Sequence, residues 1–190
     1  MYAHLGAEVT VCDISEEQLS IDREIAEGRG LKLRTIRCSM DDLGMLARES
    51  FDAVIQPVST CYVPDVIRTY REVARVLIAG GIYISQHKTP TSLQGDTRCT
   101  KPGYKILLPY YTDEPLPQVR GSKHREFGMK EFLHRWEQLV GGLCRNGFVV
   151  EDLLEPNLGK ADEEPGTFSH RSYFIAPYVR ILARRRGKPR

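Results

Sequence analysis

Asp13 is the residue best placed for chemistry in the first part of the chain, because its carboxylate lies just past a short β-branched run. That run, Val9 to Val11, is typical of a buried parallel strand. Ser15 then begins a helix, and Gln18 completes a capping-box pattern. In nucleotide-binding α/β sheets, an acid at this point accepts hydrogen bonds from both hydroxyls of an adenosine ribose. The alternative is a carboxylate that only stabilises the helix N-terminus.

Polar side chains also follow two later strand-like runs. Gln56 ends the apolar run Phe51 to Ile55, where a buried amide needs a hydrogen-bonding partner. Tyr62 follows that run, and His87 follows the run Ile82 to Ser85. Because the sites of open α/β sheets form at the carboxyl ends of strands, Tyr62 is a candidate ligand contact and His87 a candidate base. Core packing of Tyr62 and a structural hydrogen-bonded His87 are the open alternatives.

Strands and helices alternate through the first 85 residues, which is typical of a parallel sheet with right-handed crossovers. The predicted strands are Val9–Val11, Leu31–Arg37, Phe51–Ile55 and Ile82–Ser85, and the predicted helices are Glu16–Glu27, Cys38–Arg48 and Pro64–Leu77.

A long connection, from Gln86 to about Gly128, interrupts this alternation with Pro, Gly and polar residues. It contains one strand-like run, Tyr104 to Leu108, and its aromatic content favours a cap over the substrate. Tyr110 and His124 are its weaker candidates for contact with substrate. Structural roles remain open for both.

The last third of the sequence predicts a helix followed by two strands. Met129 to Asn146 has an apolar face at helical spacing, and Phe148 to Leu154 and about Tyr173 to Ala183 are strand-like. Two strands without an intervening helix indicate an antiparallel pair at the end of the sheet. The chain is therefore predicted to be one domain of 190 residues with a three-layer αβα arrangement.

The charge pattern argues against a polyanion partner. The formal net charge is +2, and the basic residues are spread along the chain except in the run Arg184 to Arg190. That run is interpreted as a solvated end, with contact to nucleic acid or an anionic surface as the alternative. A small-molecule substrate is expected, with no nucleic acid and no membrane.

Cysteine usage favours a reducing cytoplasm. The five cysteines are scattered and show neither a Cys-x-x-Cys pair nor zinc-ligand spacing, so no disulfide framework and no metal site are predicted. No apolar run has membrane-spanning length, and Met1 to His4 does not resemble a signal peptide.

The order of these motifs resembles the class I S-adenosylmethionine-dependent methyltransferases, in the type 11-like small-molecule branch. Val9 to Ser15 matches the family's second strand, so the resemblance makes Asp13 the ribose-binding acid and places Ile14 beside the adenine. Phe51 to Gln56 matches the fourth strand, which places Gln56 beside the methionine portion of the cofactor. The segment Leu77–Gly81 resembles the family's Leu-x-Pro-Gly-Gly turn, with alanine in place of proline.

The adenine end of the site departs from the family pattern. Family members carry Gly-Asp after the third strand, where this chain has Cys38, Ser39 and Met40. Ser39 can still accept a hydrogen bond, and Asp41 or Asp42 can substitute for the family's acid. The residues expected to bind S-adenosylmethionine are therefore Asp13, Ile14, Ser39, Met40, Asp41 and Gln56.

The family's first strand and its Gly-x-Gly-x-Gly loop have no counterpart in the sequence. The resemblance therefore predicts an N-terminally truncated domain, with a gap between the strands at Val9–Val11 and Phe51–Ile55. A mis-assigned start or a truncated gene is expected, with a true short form as the alternative.

The resemblance implies transfer of a methyl group from a sulfonium to an N, O, S or C nucleophile, without a dedicated catalytic residue. Two other functions remain open. The first is a non-catalytic remnant or binding module of the same family. The second is an NAD-dependent oxidoreductase, which also uses an acid after the second strand but for which the sequence shows no Tyr-x-x-x-Lys pair.

Overall fold

The six strands of the protein form two sheets in a computed structural model that describes residues 1–101 and 103–187. β1 and β2 pair in parallel as a two-stranded sheet, and the other four strands form a sheet in the order β3-β4-β6-β5. The strands are β1 (Val9–Asp13), β2 (Leu33–Arg37), β3 (Phe51–Gln56), β4 (Leu77–Lys88), β5 (Phe148–Leu154) and β6 (Tyr178–Arg185).

Five α-helices and several short turns connect the strands. In α1, α2, α3 and α5, the side chain of the residue before the helix accepts a backbone N–H of the first turn. Three of these four caps are Ser or Thr hydroxyls, and the fourth is the carboxylate of Asp65. The elements are α1 (Glu16–Gly28), α2 (Val66–Val76), α3 (Pro90–Gln94), α4 (Gly142–Arg145) and α5 (Phe168–Phe174), with 3₁₀ turns at Tyr2–Leu5 and Thr60–Tyr62 and a π-helical turn at Glu137–Gly141.

The strand pairing confirms the predicted Rossmann-like α/β fold. β3 and β4 are parallel, β5 and β6 form the predicted antiparallel pair, and β6 also pairs antiparallel with β4. β1 and β3 are not neighbours in either sheet, which agrees with the expected gap between them. Gln56, the last residue of β3, lies opposite Ser85, and β4 continues beyond this point to Lys88.

The core lies between α2 and the four-stranded sheet. Tyr70 on α2 is fully buried, packs edge-on against Tyr83 with 6.1 Å between ring centroids, and donates its hydroxyl to the carbonyl of Leu139 at 3.1 Å. Phe148 on β5 also packs against Tyr83, with 5.7 Å between ring centroids. This packing joins α2 and β5 to β4, the strand that pairs with β3.

The predicted helix Cys38–Arg48 is wrong, because the segment is a series of turns held by side chains of α2. Arg75 donates to the carbonyls of Leu43 and Leu46 at 2.6 and 2.8 Å. Glu72 accepts the backbone N–H of Leu43 at 2.9 Å. These bonds satisfy backbone groups that a helix would otherwise pair internally.

The predicted helix Met129–Asn146 is helical only from Glu137 onward. Its first part forms no regular secondary structure, because Phe132 donates its N–H to the carbonyl of Cys61 at 2.7 Å and the carbonyl of Glu131 accepts the N–H of Leu116 at 2.7 Å. Tertiary hydrogen bonds thus replace the helical ones in this segment.

Two predicted strands differ from the structure. The run Tyr104–Leu108 forms only an isolated bridge, between Ile106 and Gly95. The last strand begins at Tyr178 rather than near Tyr173, because residues Phe168–Phe174 form α5, whose first turn is capped by the hydroxyl of Thr167. Within the described residues, no helix is long and apolar enough to cross a membrane. Residues 188–190 of the predicted basic end lie outside the described residues.

Replacing Gly142 with Ala is expected to destabilise the protein by about 1–3 kcal/mol. A Cβ at Gly142 would lie 2.5 Å from the Cδ1 of Ile67 and 3.3 Å from the ring of Tyr70. Gly28 is the matched control, since a Cβ there meets nothing within 4 Å. Gly28→Ala is expected to keep or raise stability in urea denaturation. Equal stabilities of the two variants would contradict the close contact between α2 and α4.

Candidate functional site

Asp13 lies at the carboxyl end of β1 with half of its carboxylate engaged. Its Oδ1 accepts the backbone N–H of Ser15 at 2.8 Å, and no hydrogen bond from the described residues reaches its Oδ2. Ile14, beside it, is 68% exposed, and its carbonyl accepts from Arg37 at 3.1 Å. The second carboxylate oxygen therefore remains able to accept hydrogen bonds from a ligand.

Ser39 and Asp41 form a tight acceptor-rich turn after β2. The Ser39 hydroxyl donates to Asp41 Oδ1 at 2.5 Å, and Asp41 Oδ2 lies 3.8 Å from the guanidinium of Arg68. The turn follows β2 directly, since Cys38 donates its N–H to the carbonyl of Asp13 at 3.0 Å. The ends of β1 and β2 therefore present their candidate residues side by side.

Gln56 joins this turn to the end of β3. Its Oε1 accepts the hydroxyl of Tyr83, and its Nε2 lies 3.2 Å from Ser59 Oγ and 3.1 Å from the sulfur of Met40. The side chain is only 8% exposed, so these contacts provide the partners that a buried amide requires. Met40 and Gln56, predicted from separate motifs, are thus in contact.

His87 is enclosed rather than presented to a ligand. It is 1% exposed, with its Nδ1 2.7 Å from the hydroxyl of Thr60 and its Nε2 2.8 Å from the hydroxyl of Ser85. Burial, with a smaller effect of the neighbouring His134, lowers the pKa of His87 to about 3. The imidazole is therefore neutral and both nitrogens are engaged, which fits the structural alternative; contact with substrate stays a prediction.

Tyr62 lies in the 3₁₀ turn after β3, whereas Tyr110 lies in the long connection that is predicted to form a cap. The ring of Tyr62 lies 5.9 Å from Lys88 Nζ, and burial together with a hydrogen bond to Glu126 raises the pKa of its hydroxyl. The Tyr110 hydroxyl accepts the backbone N–H of Trp136 at 3.2 Å, at the start of the helical segment. Contact with substrate stays a prediction for both residues, and the Tyr110 hydroxyl already has a structural partner in the N–H of Trp136.

Three buried charged residues meet at the end of β4, and we call Lys88, Arg125 and Glu131 the cap triad. The Glu131 carboxylate accepts from Lys88 through Oε1 and from Arg125 through Oε2. The triad ties the cap to the end of β4. No sequence pattern indicates the triad, because Glu131 lies in the predicted helix Met129–Asn146 and Lys88 is 43 positions away from it.

The neutral state of His87 predicts that stability falls as the pH is lowered. The unfolded chain takes up a proton near pH 6.5, whereas folded His87 takes none up until about pH 3. The stability present above pH 6.5 is therefore lost as the pH falls, by up to about 1.4 kcal/mol per pH unit. Urea denaturation between about pH 7 and about pH 5 measures this slope.

Two variants separate the effect of His87 from that of other groups. His87→Gln is expected to reduce the slope without abolishing it, because the amide retains hydrogen bonding to the two hydroxyls and does not titrate. The remaining slope comes from other groups, since burial also lowers the pKa values of His124 and His134. His4→Gln is the control, since His4 is exposed on the first turn and the slope is expected to stay as in the wild type. An unchanged slope in His87→Gln would contradict a neutral buried His87.

Comparison with known proteins places these residues in a family context. The sequence model of a methyltransferase domain matches residues 1–85. The uncharacterized methyltransferase YbaJ of Bacillus subtilis is 38% identical over 161 residues, which are 83% of this chain and 63% of YbaJ. This chain therefore spans less than two thirds of the length of that relative.

Solved structures show the same fold. The S-adenosylmethionine-dependent methyltransferase from Mesorhizobium loti has a TM-score of 0.73 and 22% identity, over 94% of this chain and 80% of that one. A SAM-dependent methyltransferase from Methanosarcina mazei has a TM-score of 0.67 and 17% identity, over 97% and 85%.

The chain thus has the Rossmann-like fold of the S-adenosylmethionine-dependent methyltransferases. The family match and YbaJ confirm the predicted resemblance to this family, whose cofactor is S-adenosylmethionine.

Proposed function

We propose that this chain binds S-adenosylmethionine at the carboxyl ends of β1, β2 and β3 and transfers its methyl group to a small-molecule acceptor. The observation that carries the proposal is Asp13 Oδ2, which is available at the end of β1 in the part of the chain that matches the methyltransferase domain. Because β1 and β2 are parallel, Ser39 and Asp41 lie at the same edge.

The residues at this edge fit the chemistry of an adenosine group. Asp13 offers a carboxylate oxygen to ribose hydroxyls, and Ser39 with Asp41 offers acceptors to an exocyclic amine. Exposed Ile14 offers an apolar surface to the base. Gln56 has its polar atoms engaged by protein groups, so it would hold the loop containing Met40 in place and border the cofactor only through its edge.

The chain's contribution to methyl transfer would be alignment and exclusion of water. The sulfonium of the bound cofactor supplies an activated methyl group. An acceptor held in line with that group needs correct placement more than acid–base help, so a dedicated base is not required. The enclosed, neutral state of His87 is consistent with this division of roles.

We further propose that residues 86–128 act as a cap over the acceptor within a single domain, and that the protein functions in the cytoplasm. The cap is supported by its position, since Lys88 at the end of β4 bonds to Glu131 beyond it and Phe132 bonds to Cys61 at the end of the β3 loop. The cytoplasmic location is supported by the scattered, unpaired cysteines of the described residues.

Calorimetric titration of S-adenosylmethionine and of NAD into the full chain tests the proposed class of ligand. Saturable binding of S-adenosylmethionine without binding of NAD is expected, because NAD would need its second nucleotide accommodated at the same edge. Binding of NAD alone would overturn the proposal in favour of an oxidoreductase. Binding of neither would leave the chain with the fold but without the proposed activity.

A further inference from the structure

The cap triad buries more positive than negative charge. All three side chains are at most 7% exposed, and both oxygens of the single carboxylate, Glu131, are already used by Lys88 and Arg125. Two cations facing one carboxylate leave one positive charge without a buried counter-charge. Burial of an uncompensated charge is strongly unfavourable, so a further anionic group is expected beside the triad.

His124 adds a second, independent indication of a ligand. Its side chain lies next in sequence to Arg125 and is 9% exposed, and neither ring nitrogen has a hydrogen-bond partner in the described part of the chain. The ring stacks on Phe168 with 5.1 Å between centroids. Burial, and then the charges of Arg171 and Lys88, lower the pKa of His124 to about 4, so the ring is neutral and carries one N–H donor.

The other acidic groups near the cluster are engaged elsewhere. Glu126 is exposed and hydrogen-bonds to Tyr62. Asp96 pairs with Arg98 at 3.6 Å. Neither carboxylate forms an ion pair with Lys88 or Arg125 in the described part of the chain, so these two cations share the single carboxylate of Glu131.

We infer that Lys88 and His124 bind the carboxylate of a small planar ligand, with Lys88 supplying charge and His124 donating its N–H. The inference rests on the proposed function, because the cluster lies just past the carboxyl end of β4, where the methyl acceptor would be held. Tyr62, 5.9 Å from Lys88 Nζ, and Phe168, stacked on His124, supply flat apolar surfaces. An acceptor carrying a carboxylate on a flat ring fits this combination.

Benzoate and its neutral isostere benzamide are the probes. Each is titrated calorimetrically into the full chain without S-adenosylmethionine, and benzoate is expected to bind about tenfold more tightly. His124→Phe is expected to reduce benzoate affinity about tenfold, because the N–H donor is lost. Its midpoint in urea is expected to equal or exceed that of the wild type, because the ring nitrogens have no protein hydrogen bond to lose.

His170 provides a matched control for the substitution of His124. It is also buried, but its Nδ1 lies 2.8 Å from the hydroxyl of Tyr104. His170→Phe is therefore expected to lower the midpoint in urea while keeping the ratio of benzoate to benzamide affinity. The contrast between the two variants distinguishes a ligand-binding role of His124 from a structural role such as that of His170.

Three results would overturn the inference: equal affinities for benzoate and benzamide, no saturable binding of benzoate, or a clear loss of stability in His124→Phe. Titration of S-adenosylmethionine into the wild type tests the proposed function separately. Cofactor binding without preference for benzoate removes only this inference. A preference for benzoate without cofactor binding removes only the proposed function.

Discussion

Glu131→Gln is expected to destabilise the protein by about 3–5 kcal/mol, because it removes the only carboxylate of the cap triad. The carboxylate is 1% exposed and accepts from both Lys88 and Arg125. Its neutralisation leaves two buried cations without a counter-charge. The amide keeps the size of the side chain, so the loss measured in urea denaturation reports charge rather than packing.

Glu137→Gln is the control for this substitution. Glu137 pairs with Arg145 at 2.8 Å, but both side chains are more than half exposed, so the change is expected to cost less than about 1 kcal/mol. If Glu131→Gln cost no more than Glu137→Gln, the cap triad would not be a buried, dehydrated cluster.

Arg171→Met is expected to have a comparable effect, at about 3–5 kcal/mol. Arg171 is fully buried and connects α5 to the turn after α3. It donates to the carbonyl of Asp96 at 2.9 Å, to the carbonyl of Ser92 at 2.7 Å and to that of Gly95 at 3.1 Å. Methionine fills similar space but leaves these acceptors without a donor.

Arg98→Met is the comparison for Arg171→Met. The Arg98 side chain is 84% exposed, and its ion pair in the described part of the chain is with Asp96, so its removal is expected to change stability by less than about 1 kcal/mol. A similarly small effect of Arg171→Met would show that the three carbonyls find other donors and that α5 is held mainly by apolar contacts.

Local patterns predicted those elements whose stabilising interactions are local. α1 has the predicted cap, with Ser15 accepting from Gln18 at 3.3 Å, and α2 has the predicted apolar face, with Val66, Tyr70 and Val73 buried. The terminal antiparallel pair also forms as predicted, although α5 lies between β5 and β6 and the prediction assumed no helix there. In α1 and α2 the residues that determine the element lie within a few turns of one another.

Segments held by distant side chains could not be predicted in the same way. The turns after β2 are fixed by Arg75 and Glu72, about thirty residues later. The irregular segment before Glu137 is held by its hydrogen bond to Cys61 and by the cap triad. Residue spacing does not indicate such long-range bonds, so the apolar face of Met129–Asn146 predicted a longer helix than the chain forms.

The same distinction holds for the candidate site. The residues Asp13, Ser39, Asp41 and Gln56 lie at or just after strand ends. Their proximity was therefore predicted by the rule that parallel strands end at one edge of the sheet. The cap triad and the unpartnered ring of His124 depend on contacts between residues up to 43 positions apart, and became visible only with the fold in place.

Titration of S-adenosylmethionine into the wild type and into Asp13→Asn tests the central claim most directly. The asparagine oxygen can still accept the N–H of Ser15, so the turn after β1 is preserved while the carboxylate is lost. The dissociation constant is expected to rise about 10- to 100-fold. Glu24→Gln, an exposed acid on α1, is expected to bind as the wild type does. Equal affinity of Asp13→Asn and the wild type would contradict a cofactor held by Asp13 at the end of β1.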